Sequence, residues 1–141
     1  MRIDEIIKGV VPTGFGFLYA TYKEANKKID KVTSFPLCVL IAQISGSFQV
    51  DGYYSVRDTQ NVMLLLLDID EDGNTDSPTS VEIIDRMKNE GLSIISRLVM
   101  SKDVEEVGGQ IKYQPLVQEF DRKLTGVSFD LSVKLSGNVC F

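Results

Sequence analysis

The run Val62-Met63-Leu64-Leu65-Leu66-Leu67 places six apolar residues in unbroken succession. Strand side chains alternate between two faces, so a strand read through this run has no wet side and needs cover on both. A strand is predicted from Gln60 to Ile69, with the core on one side and either a helix or a neighbouring subunit on the other. The run is far short of the roughly 20 apolar residues that a membrane helix requires, and no longer apolar run occurs in the chain.

The other elements follow from periodicity. Ile3, Ile6, Ile7 and Val10 fall at helical spacing with Asp4 and Glu5 in the first turn, which predicts a short N-terminal helix ending before Pro12. Thr13-Gly14-Phe15-Gly16-Phe17-Leu18-Tyr19-Ala20 reads as a turn into a short strand, and Lys23 to Lys31 as an exposed loop or solvated helical turn with Ile29 its one clear apolar side chain. A core strand is expected over Phe35 to Ala42; Gly46 then leads to Ser47-Phe48-Gln49-Val50, and Asp51-Gly52 is a favoured tight-turn pair.

The strongest helix signal begins after Pro78, where Thr79-Ser80-Val81-Glu82 matches a capping box. Val81, Ile84, Met87, Gly91, Leu92, Ile95, Leu98 and Val99 then trace an apolar face for about five turns. Gly91 within it costs about 1 kcal/mol against alanine unless a close contact needs it. In the last third, Val127, Phe129, Leu131, Val133 and Leu135 alternate strictly with polar residues, and Val107 to Val117 alternates in part, so the two pair as a hairpin through residues 118–125. The expected architecture is α+β in a single domain, 1–141: a small, mainly antiparallel sheet packed against one long helix, with a short N-terminal helix.

Composition narrows the function. With no histidine among 141 residues, the chain lacks the usual neutral-pH base, the Ser-His-Asp and Cys-His arrangements and the imidazole ligands of most zinc sites. Cys38 lies in an apolar strand and Cys140 is penultimate, so neither has a visible base, and two cysteines make neither a disulfide scaffold nor a thiolate metal site. No catalytic residue, metal or cofactor is assigned. The net charge of −5 opposes general nucleic-acid binding. It is concentrated in residues 68–90, where eight acids against Arg86 and Lys88 give −6 and leave the remainder at +1.

Asp68-Ile69-Asp70-Glu71-Asp72-Gly73-Asn74 reproduces the first half of a calcium loop, but the twelfth position is Thr79 and a strand, not a helix, precedes it. It reads as an acidic turn joining strand to helix, or as a weak cation site made by Asp68, Asp70 and Asp72. Gly14-Phe15-Gly16 lacks the further glycine and the Lys-Ser/Thr pair of a phosphate cradle. The aromatics Phe15, Phe17, Tyr19, Tyr22, Tyr53 and Tyr54 have no surrounding basic patch and suit a core or an interface. The N-terminus lacks the basic flank and apolar stretch of a secretory signal, which predicts a cytosolic place of synthesis.

The Gly14-Phe15-Gly16-Phe17 turn, the Glu24-Ala25-Asn26 stretch, the Phe35-Pro36 strand entry and Phe120-Asp121-Arg122-Lys123-Leu124-Thr125-Gly126-Val127 before an alternating strand together resemble small virion structural proteins of tailed phages and prophages. The element order is similar to tail-terminator and neck proteins. That resemblance implies a structural subunit, not an enzyme, that assembles as a homo-oligomeric ring at the head-tail interface, as terminator, adaptor or completion protein. Its partners would be neighbouring neck and tail proteins, with DNA only a passing cargo and no membrane, in the host cytoplasm during assembly and then in the virion. Phe15, Phe17, Tyr19, Phe120 and Leu124 are the expected interface residues. A calcium-dependent or peptide-binding module is the alternative class, and a small enzyme the third.

Overall fold

The computed structural model describes residues 2–50, 52, 55–70, 78–117 and 123–137. Of the residues singled out above, Asp51, Tyr53, Tyr54, Glu71, Asp72, Gly73, Asn74, Phe120, Asp121, Arg122 and Cys140 lie outside them. The element order is α1 (Ile3–Val10), β1 (Gly16–Ala20), α2 (Ala25–Asp30), β2 (Leu37–Val50), β3 (Val56–Ile69), α3 (Pro78–Met100), β4 (Val104–Val107), β5 (Lys112–Val117) and β6 (Leu124–Leu135). The fold is α+β, as expected, with the strands in one mixed sheet of order β1-β2-β3-β6-β4, and β5 also on β6. Only β1 runs parallel to its neighbour, pairing Gly16–Ala20 with Leu37–Ile41.

Both faces of the 62–67 run are covered within the chain. Even-numbered Val62, Leu64 and Leu66 join the main core, with Ile3, Ile6 and Ile7 of α1, Ile83, Met87, Ile94 and Leu98 of α3, and Val127, Phe129, Leu131 and Val133 of β6. On the opposite face, Leu65 and Leu67 meet Ala25 and Ile29 of α2 together with Leu37, Val39, Ile41 and Leu124. Of the two covers that the sequence allowed, the second face takes a helix, and it is the short α2.

Several boundaries and phases differ from expectation. The expected strand over 35–42 starts two residues later, at Leu37, and runs on through 47–50 as one 14-residue strand, β2, whose register against β3 shifts between Ile41 and Ser45. That irregularity carries the ladder past Gly46. Strand β3 starts at Val56 instead of Gln60, because its polar stretch Arg57-Asp58-Thr59-Gln60 pairs with residues 46–49 of β2. Helix α3 buries Ile83, Met87, Gly91, Ile94 and Leu98, while Val81, Leu92 and Val99 of the expected apolar face are exposed. Apolar residues stand in adjacent pairs at 83/84, 94/95 and 98/99, so periodicity alone left the phase about one residue uncertain. The capping box is displaced as well: Pro78 opens the helix and Ser80 lies inside its first turn. Finally, β6 begins at Leu124, inside the expected connection, and the unforeseen β4 pairs with its far end.

Candidate functional site

Asp68 and Asp70 end β3 on the face that carries α3. Asp68 accepts a hydrogen bond from the Arg86 guanidinium, about two turns into the helix. Asp70 is fully buried and its Oδ2 accepts from Ser80 Oγ at 2.5 Å and from Thr125 Oγ1 at 2.7 Å. Its backbone N–H donates to the Lys123 carbonyl at 2.8 Å. The two aspartates therefore fasten the start of α3 and the start of β6 to the end of β3.

This accounts for two of the three carboxylates of the half calcium loop. A hard cation needs six or more oxygens at once, whereas the Asp70 oxygens are inaccessible and the Asp68 carboxylate is held by a guanidinium. Among the described residues there is no group of three His, Cys, Asp or Glu side chains placed to hold a metal. Asp70→Ala, which removes the acceptor shared by two buried hydroxyls, is expected to cost about 2–3 kcal/mol. That is a fall in Tm of about 6–10 °C for a domain of this size. Adding 1 mM calcium to the wild-type chain is expected to move Tm by less than about 1 °C, since binding at 100 times Kd would add about 2.7 kcal/mol. Thermal unfolding of both proteins with and without calcium checks this, and a rise of several degrees that Asp70→Ala abolishes would restore the cation site.

Cys38 is fully buried in the main core, and burial pushes its thiol up to about 12. Only the thiolate is nucleophilic, so this side chain stays inert near neutral pH. Its neutral form adds stability that is fully present below the ordinary thiol value of 9.0 and is lost as pH climbs from there through about 12.

The expected interface residues are dispersed. Phe15 and Phe17 are half-buried and pack against the main core from the edge of the sheet. Tyr19, on the same edge strand, is 39% exposed. Leu124 does not face solvent at all: it is 1% exposed in the cluster under α2, so its place among the interface residues is corrected to the core. Leu124 opens β6 on the face opposite Val127 and Phe129, so the alternation that starts at Val127 does not include it.

Sequence reasoning missed the more exposed apolar side chains Phe48 and Val50 on β2, Leu92, Val99 and Met100 on α3, and Tyr113 on β5. Tyr113 carries the Lys88 ammonium 4.8 Å above its ring, and it tilts against Phe129 with ring centres 6.4 Å apart. A signal for Val99 is present, because it is the outer member of the apolar pair 98/99, whereas Leu92 stands between Gly91 and Ser93 and belongs to no such pair. A groove of about 410 Å³ lies beside α2, lined by apolar side chains including Ile41, Met63, Leu65 and Leu116 together with Tyr22, Gln114 and Ser128. No described helix is long and apolar enough to cross a membrane. Compared with known protein families and with curated proteins, the chain has no match in either.

Proposed function

We propose that the chain is a structural subunit of a tailed-phage neck or tail junction, one copy in a closed ring at the head-tail interface, with no reaction of its own. The observation that carries this reading is the set of short motifs, from the Gly14-Phe15-Gly16-Phe17 turn to Lys123-Leu124-Thr125-Gly126-Val127, which resemble such virion proteins over nearly the whole chain. Surface chemistry supports it. Large apolar side chains stand exposed on both α3 and β2, and such side chains mark association surfaces when several occur together.

Cryo-electron microscopy of purified virions tests the proposal directly. The expected result is a ring of this chain between capsid and tail. Its absence from the particle, or its presence only as scattered copies on the capsid, would remove the reading.

A further inference from the structure

We propose that neighbouring copies in this ring meet head to tail across the sheet, the outer face of α3 in one copy seated on the α2 face of the next. The contact presupposes the ring reading above. Its basis is that the two helices lie on opposite faces of one sheet and carry an excess of unpaired charge of opposite sign, exposed Asp30 on α2 being outnumbered by its lysines.

On the α2 face, Lys23, Lys27 and Lys31 are exposed, and none is in an ion pair among the described residues. Lys28 differs, because Glu24 lies 3.7 Å from it. The Thr21 hydroxyl, and after it the Lys28 ammonium, hold the Glu24 carboxyl below the usual carboxylate range. Tyr22 and Asn26 line the 410 Å³ groove floored by Met63 and Leu65, Tyr22 being 76% exposed, and the lysines stand on the same segment as these two residues.

On α3 the balance is reversed. Its cations are Arg86, occupied by Asp68, Lys88, over the Tyr113 ring, and Arg97 in the last turn, which donates to the Val10 carbonyl away from the acidic first turns. Glu82 and Asp85 are exposed and Glu90 half-buried, none of them in an ion pair among the described residues. Among them stand Val81 and the 61% exposed Leu92. One face thus offers exposed lysines on α2, and the other exposed carboxylates among apolar side chains on α3. Packing like faces together, as a two-fold dimer would, opposes lysine to lysine or carboxylate to carboxylate. Packing unlike faces joins opposite charges and repeats indefinitely, and when the rotation closes it makes a ring.

The test uses the full chain, in rings formed from purified protein and in virions. Reversing charge on one face, as Lys27→Glu with Lys31→Glu or as Glu82→Lys with Asp85→Lys, is expected to weaken association by about tenfold or more. Combining all four substitutions in one chain is expected to bring association back to within about threefold of wild type, because the faces remain complementary with signs exchanged. Zero-length carbodiimide cross-linking of the unaltered chain supplies a readout that needs no variant, and it should join Lys27 or Lys31 of one copy to Glu82 or Asp85 of another. Single-face variants that assemble like wild type, a folded four-fold variant that fails to recover, or rings that lack these cross-links would overturn the contact and leave the ring reading intact. A chain found in no ring, in solution or in virions, would remove both.

Discussion

Gly126→Ala is expected to be the most damaging methyl addition among the described glycines compared for space at Cβ, lowering stability by about 4 kcal/mol or more and leaving little folded protein at 37 °C. Gly126 sits in β6 opposite Leu67 of β3 and Leu116 of β5. A Cβ there would fall 1.7 Å from the Leu66 carbonyl oxygen and 3.0 Å from the Leu67 Cα. Backbone at the centre of a sheet cannot yield without breaking the ladder, so the strands would have to separate. Gly91→Ala provides the contrast. Its Cβ would meet the Phe129 ring, with Cζ at 2.2 Å. A ring can tilt, and alanine returns about 1 kcal/mol of helix propensity. Overpacking of about 1–3 kcal/mol then leaves a modest net loss. Urea unfolding of the two variants should rank them in this order; a Gly126→Ala protein as stable as Gly91→Ala would show that the β3–β6 approach is looser than described.

Leu124→Asp is the second large effect. A fully buried leucine contributes about 1.5–3 kcal/mol by leaving water. A carboxylate in its place would have no partner among Ile29, Leu37, Leu67 and their neighbours, which adds several kcal/mol more. The sum approaches the whole stability of a typical domain, so the variant is expected to be unfolded or aggregated, with far-ultraviolet circular dichroism lacking the native spectrum. Leu124→Ala should fold, at a cost of about 2–5 kcal/mol. A folded Leu124→Asp chain would return this residue to the surface. Loss of incorporation on changing Leu124 therefore reports folding, and substitutions that probe assembly belong at exposed positions.

Regular periodicity made most of the architecture legible. Unbroken apolar succession at 62–67 demanded cover on both faces, and strict alternation from Val127 identified the strand that is β6. What stayed hidden was decided by contacts distant in sequence. The phase of α3 was ambiguous because apolar residues come in adjacent pairs, and the position of the Phe129 ring against Gly91 belongs to the inner choice. The roles of Asp68 and Asp70 were obscured by a local resemblance to a calcium loop, whereas their partners Arg86, Ser80 and Thr125 stand 18, 10 and 55 residues away. Of the expected interface residues, Tyr19 is exposed, Phe15 and Phe17 only in part, and Leu124 not at all.

The position of β6 also bears on how the chain is made. It lies between β3 on one edge and β4 and β5 on the other, yet in sequence it follows all of them. During synthesis at about 5–20 residues per second, β3 emerges some 60 residues before the strand that will zip along its open side. For several seconds the apolar Leu64–Leu67 edge has no permanent neighbour, which is the condition under which strand edges recruit foreign chains. A nascent-chain chaperone or rapid closure by β6 must cover that interval, so yield from the ribosome depends on the speed with which the last strand arrives.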